Sequence, residues 1–278
     1  MQGNSGVGIT GMRTTIKTGS LSAKFIPPIY IIVEDNLAKS VIDCLFEGTH
    51  DISRRYIYSG AWQNQASCLY GFLSYGMELG EHYSIPSFGV VAVTDGDISK
   101  EEEQKRKSKL IKGDHKNPVQ HEILDLISTF TSSFTLEIKD KTIKALPEYN
   151  QKKWFEEITK DRILEVHGRE GQSFARSERE ISSMVELIEL SKSISSDTPS
   201  IIGKNGNPDY HLYYEILKEF IPSNADHKMN DIYWYVLSAI KHYNKDKWNF
   251  YTQTIKEKIT ALHKDHKNRF LQSNFDFR

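Results

Sequence analysis

A chain of 278 residues, 26% charged and 38% hydrophobic, is long enough to bury a sizeable core and has the balance of a soluble protein. Its formal net charge of -1 lacks the basic excess that advertises a nucleic-acid binder, although charge concentrated locally leaves such binding open. Cys44 and Cys68 are the two cysteines, which excludes a disulfide scaffold and a cysteine zinc site. No apolar run approaches the roughly 20 residues of a membrane span, and the start lacks a signal-peptide core, so the expected compartment is the cytoplasm.

Residues 1–27 are rich in Gly, Ser and Thr and read as a flexible arm. Within it, Gly3 to Thr10 has the spacing of a phosphate-binding loop, but Ile9 stands where the phosphate-contacting lysine belongs and no strand precedes it. Pro27-Pro28 ends the arm. The apolar run Ile29-Tyr30-Ile31-Ile32-Val33 then stops at Glu34-Asp35-Asn36, the pattern of a buried parallel strand whose functional groups lie at its carboxyl end. Leu37, Val41 and Leu45, with Ile42 beside them, predict a helix for which Asn36 is a candidate N-cap. A short strand at 55–58 and a helix at about 65–79 follow. The run Phe88-Gly89-Val90-Val91-Ala92-Val93 stops in turn at Thr94-Asp95-Gly96-Asp97.

This alternation of strands and helices predicts right-handed βαβ units and a mostly parallel, Rossmann-like sheet. If the two acid-ended strands are neighbours, Glu34, Asp95 and Asp97 meet at one sheet edge. Carboxylates held that close repel one another unless a cation neutralises them, and hard oxygen ligands suit Mg²⁺ or Mn²⁺.

Residues 99–116 carry a run of acids followed by lysines, which reads as a solvated segment, or alternatively as a substrate-side loop contacting phosphates. A helix is expected at 119–130 and a strand at Ser133-Phe134-Thr135-Leu136-Glu137. Helices follow at 152–166 and 177–193, with a turn at 167–172 between them. Ser200-Ile201-Ile202 looks strand-like and leads into Gly203-Lys204. The segment 231–270 has the apolar spacing of a helical hairpin that buries its aromatics; the competing reading is an aromatic and basic nucleic-acid surface. Neither His115 with His121 nor His263 with His266 has the partners of a zinc site.

Ile32-Val33-Glu34-Asp35 and Val93-Thr94-Asp95-Gly96-Asp97, a strand ending in Glu and a later strand ending in Asp-x-Asp, resemble the Toprim domain of topoisomerases, primases and OLD-type nucleases. The resemblance covers roughly residues 29–140 and departs from the family pattern at Asp35, where glycine is usual. It implies a Toprim-like α/β core over 28–140, with 199–206 as the segment that would complete it, and a mainly helical C-terminal appendage over 141–278. It also implies a Mg²⁺- or Mn²⁺-dependent nuclease acting on DNA or RNA, with Glu34, Asp95 and Asp97 as metal ligands and catalytic groups. Glu137 matches the position of a second-metal ligand, and Lys204 that of a lysine facing the scissile phosphate. A solvent-facing strand-end acid and a turn lysine account for the same two letters. By the same resemblance the partners would be nucleic acid, an ATPase encoded separately and a second copy of the chain, in an effector of anti-phage defence.

Three other readings stay open. The acids suit a phosphorelay receiver, although the gap to Asp95 and the long tail fit that compact unit poorly. An Asp-x-Asp also serves nucleotide-sugar transferases, which have no need of Glu34. A Toprim-like scaffold with vestigial acids would serve as the non-catalytic partner of an ATPase.

Overall fold

The computed structural model describes residues 26–49, 51–83, 88–98, 105, 125–140, 142–170, 178–198, 201–220 and 229–272. Residues 1–25 of the arm, most of the charged segment 99–116, both His115 and His121, and the start of the helix expected at 119 lie outside them.

Four strands, β1 (Ile29–Val33), β2 (Arg54–Tyr58), β3 (Val90–Thr94) and β4 (Thr131–Ser133), pair in parallel in the order β2-β1-β3-β4. The central pair is set in register by apolar residues that face two ways: Ile31 lies opposite Val91, Ile32 opposite Ala92 and Val33 opposite Val93. Alternation carries Ile29, Ile31, Val33, Val91 and Val93 into the larger core, while Ile32, Val90 and Ala92 face a smaller cluster with Leu69 and Ile127. Both faces are therefore covered, which is the condition under which an all-parallel sheet reads as continuous apolar runs. The crossover helices are α1 (Asn36–Leu45) and α2 (Trp62–Tyr83).

The C-terminal region is helical: α3 (Leu146–Glu156), α4 (Lys160–Glu170), α5 (Glu178–Ser193), α6 (Tyr213–Phe220), α7 (Met229–Tyr243) and α8 (Lys245–Gln272). One continuous cluster of buried side chains joins it to the sheet. The helices α7 and α8 form the expected hairpin and bury Ile232, Val236, Trp248, Tyr251, Ile255 and Ile259. Tyr251 stacks on Phe134 at the end of β4, with ring centroids 4.7 Å apart.

At the far end of α8, His266 is 0% exposed and closes the opposite edge of the sheet. Its Nδ1 accepts from the Gly89 amide at 3.1 Å, so the ring proton sits on Nε2, which donates to the Pro27 carbonyl at 2.9 Å. One imidazole thus ties together the segments that lead into β1 and β3. Among the described residues, no helix is long and apolar enough to cross a membrane.

Four local expectations change. Asp35, not Asn36, caps α1: its Oδ1 accepts from the Ala38 amide at 2.9 Å. The strand expected at 133–137 occupies Thr131–Ser133 instead, because α8 captures the chain beyond it; the Thr135 amide donates to the Tyr251 carbonyl and the Thr254 hydroxyl to the Ser133 carbonyl. The turn expected from 167 gives way to α4, which continues to Glu170. Ile201 and Ile202 add no strand to the sheet among the described residues: the Asp209 amide donates to the Ile201 carbonyl and the Gly203 amide to that of Asn207, closing a loop on itself.

Candidate active site at the carboxyl edge of the sheet

Because β1 and β3 run parallel with Val33 opposite Val93, both strands deliver their next residues to the same edge, strand spacing being about 4.8 Å. Each strand end is then clamped. The Val33 carbonyl accepts from the Ser59 amide at 3.0 Å and from its hydroxyl at 3.2 Å, and the Glu34 carbonyl accepts from the Gly60 amide at 3.2 Å. On β3, the Val93 carbonyl accepts from Nε2 of the fully buried Gln65 at 3.0 Å, and the Thr94 carbonyl from the Phe134 amide at 3.1 Å. Gly96, at a φ of +82°, completes the clamp: a Cβ there would lie 2.1 Å from the Phe134 carbonyl oxygen, so only glycine lets the Asp-Gly-Asp turn press against the end of β4.

The acids so placed feel one another. Burial, and after it the charges of Asp97, Asp35 and Glu148, push the Glu34 carboxyl up to about 7, with His211 acting in the opposite sense. Asp95 is pushed well above the usual carboxylate range, first by burial and then by Asp35, Glu34, Glu148 and Asp97. Mutual repulsion on top of desolvation is the state of an acid set that lacks a counter-charge.

Two members of this set come from the helical region. Glu148, on the first turn of α3, is 6% exposed, and its Oε1 lies 3.1 Å from Nδ1 of His211. Burial raises the Glu148 carboxyl while the His211 contact opposes that rise; the same contact raises the imidazole. Beneath them, Gln151 links two fully buried phenols, accepting from the Tyr214 hydroxyl and donating Nε2 to that of Tyr251 at 2.8 Å. After burial, Asp95 is the strongest charged influence on the Tyr251 hydroxyl, so this buried network lies within electrostatic reach of the acids.

Glu34, Asp95 and Asp97 are thus brought to one edge from positions about sixty residues apart in the chain. Glu137 is turned away from them. Its carboxylate accepts from Lys247 at 2.8 Å, from the Trp154 indole at 2.9 Å and from Lys153 at 3.0 Å, and is held down to about 2, so its negative charge is already answered by lysines. Lys204 lies exposed in the closed loop 203–207 and is not among the charges that dominate Glu34 or Asp95.

Sequence reasoning did not single out Glu148 or His211. Leu146-Pro147-Glu148 carries the signal of a helix start, with proline in the first turn and an acid behind it. That start faces the sheet edge only because of long-range packing, of which the letters give no sign.

The donor set suits a hard divalent cation, being made of carboxylates whose charges repel. Among the described residues, no three Asp, Glu, His or Cys side chains close on one point as a ready-made cage. An ion that keeps several waters and uses one or two carboxylates needs none, and that is the habit of Mg²⁺. Comparison with protein-family models, with curated proteins and with solved structures finds no match for this chain.

Proposed function

We propose that the protein is a Mg²⁺- or Mn²⁺-dependent nuclease that hydrolyses phosphodiester bonds at the carboxyl edge of the sheet. The observation that carries this reading is the convergence of Glu34 and Asp95 from adjacent parallel strands, both with raised carboxyl pKa values and with Asp97 beside them. It is supported by the Toprim resemblance of the same two strand ends, which also suggests nucleic acid as substrate and a separately encoded ATPase as partner.

In this reading Asp95 and Asp97 hold the ion. When bound, the ion supplies positive charge that polarises a phosphoryl oxygen. Glu34, whose carboxyl is poised near neutrality, takes the proton of the attacking water. The water oxygen bonds to phosphorus, the P–O bond to the leaving sugar oxygen breaks, and that oxygen takes up a proton from solvent. The buried Gln151, Tyr214 and Tyr251 keep the surroundings of the acids rigid and dry, which strengthens the charge interactions there.

The test is incubation of the purified chain with plasmid DNA and with tRNA, in Mg²⁺ and in EDTA, beside an Asp95→Ala variant. Cutting that needs the ion and falls by at least about 100-fold in Asp95→Ala is the expected result. Cutting that persists unchanged in Asp95→Ala, or no cutting of either substrate by the wild-type chain, overturns the reading.

A further inference from the structure

The crevice as described holds acids, yet a phosphodiester brings negative charge of its own. Something must meet it besides an ion, and Lys204 is not placed among the acids.

The loops around Glu148 and His211 are built to hold one histidine at this point. Lys144 and Asp209 pair as an isolated parallel bridge, in which the Lys144 amide donates to the Pro208 carbonyl at 3.4 Å and the Tyr210 amide to the Lys144 carbonyl at 3.3 Å. This ties the start of α3 to the short 3-10 turn Tyr210–Leu212. Asp209 caps that turn, its Oδ1 accepting from the His211 amide at 3.3 Å. Ala145, just before α3, adopts a left-handed φ of +59° without being glycine, a strained conformation that persists only where the surroundings enforce it. The Tyr149 and Tyr210 rings pack edge to face at 4.9 Å and brace the junction.

The outcome is a histidine gripped from below. Glu148 is buried and binds Nδ1, while 67% of the His211 side chain remains exposed. The charge of His211 also acts on Glu34, opposing the rise of its carboxyl, so the imidazole lies within electrostatic reach of the acids. The Glu148 carboxylate accepts from Nδ1–H, fixes the ring's orientation and raises the imidazole, which favours the doubly protonated ring with its outer Nε2–H as a donor.

We propose that His211, as an imidazolium whose Nδ1–H donates to Glu148, is a substrate-contacting residue of this site, donating from Nε2–H to a non-bridging oxygen of the phosphodiester, and that Glu148 is its positioning residue. The assignment rests on the nuclease reading above and gives that site its phosphate-recognising side chain. His211 takes the part for which the Toprim resemblance made Lys204 a candidate, and Glu148 is a buried acid that serves the site through a histidine.

The experiment has two arms. In the first, wild type, Asp95→Ala, His211→Ala and Glu148→Gln are assayed for cutting in Mg²⁺, with melting temperatures alongside. Truncating His211 leaves the buried Glu148 without its partner, so His211→Ala melts somewhat below wild type but remains folded, while its turnover falls about 100-fold, the usual loss for a donor aimed at developing charge. Added imidazole restores part of that turnover, which it would not do for a structural defect. Glu148→Gln shows the same loss to a smaller degree. In the second arm, the His211 ring resonances are followed by NMR as a short phosphorothioate oligonucleotide is added in Ca²⁺; they shift on addition, and in Glu148→Gln the shift is smaller.

Wild-type turnover in His211→Ala, or ring signals that do not move, overturns the proposal. If the wild-type chain cuts nothing, the nuclease reading falls by itself, and the ring shift still decides whether His211 meets a phosphodiester.

Discussion

At the scale of single residues, the site depends on one position that cannot carry a side chain. Gly96 combines a left-handed backbone with a contact to the Phe134 carbonyl that a Cβ would violate at 2.1 Å. Gly96→Ala is therefore expected to destabilise the protein by about 3 kcal/mol or more, the sum of left-handed strain and a displaced strand end, as read by chemical denaturation. The same substitution should abolish cutting even where the variant is folded, because Asp95 and Asp97 flank the distorted turn. A variant as stable and as active as wild type would show that the turn does not hold the acids. At this scale the sequence was legible wherever an apolar run ended abruptly: Glu34 and Asp95 follow five-residue strands, and strand direction alone places them. It was silent about Glu148 and His211, which sit on a helix start and a 3-10 turn that reach the sheet edge only through tertiary contacts. At Glu137 it left a ligand and a solvent-facing acid open, and could not show that three cationic or N–H donors on α3 and α8 engage the carboxylate.

At the scale of elements, α8 secures both edges of the sheet. Near its start, Tyr251 and Thr254 hold β4; near its end, His266 holds the lead-in to β1 and β3. The His266 lock works only with a neutral ring, because Nδ1 must accept from Gly89, and burial lowers its pKa below the ordinary 6.5. A histidine with a depressed folded pKa leaves the unfolded chain binding more protons, so its contribution is present above about 6.5 and is lost as pH falls through the folded value. Melting temperature is thus expected to drop on acidification below about pH 6.5, and His266→Gln should lower stability at neutral pH while flattening that drop. An unaltered acid profile in His266→Gln would place the sensitivity elsewhere. Helical periodicity made the α7 and α8 hairpin readable, since its aromatics recur at core spacing. It did not reveal that α8 would take over the hydrogen bonds of the chain after Ser133, which cut the expected fourth strand short.

At the scale of the whole molecule, an α/β sheet and a helical region share one core, and the seam between them is where the acids gather. Strands alone would have presented Glu34, Asp95 and Asp97 at an open edge. The helical half adds Glu148, His211 and the buried Gln151, Tyr214 and Tyr251 network beside the acids, whose carboxyl pKa values are raised. That energetic debt is what a divalent cation would relieve. Since Glu34 beside the ion's ligands holds its proton up to about 7, the charge of a bound ion would favour loss of that proton, so affinity should strengthen as pH rises through that value and binding should release protons. Calorimetric titration of Mg²⁺ and of Mn²⁺ into the ion-free protein, at about pH 6 and about pH 8, measures this directly. The account predicts saturable binding that is tighter at the higher pH and is lost in Asp95→Ala; binding that survives Asp95→Ala undiminished, or no binding by the wild-type chain at either pH, would contradict it.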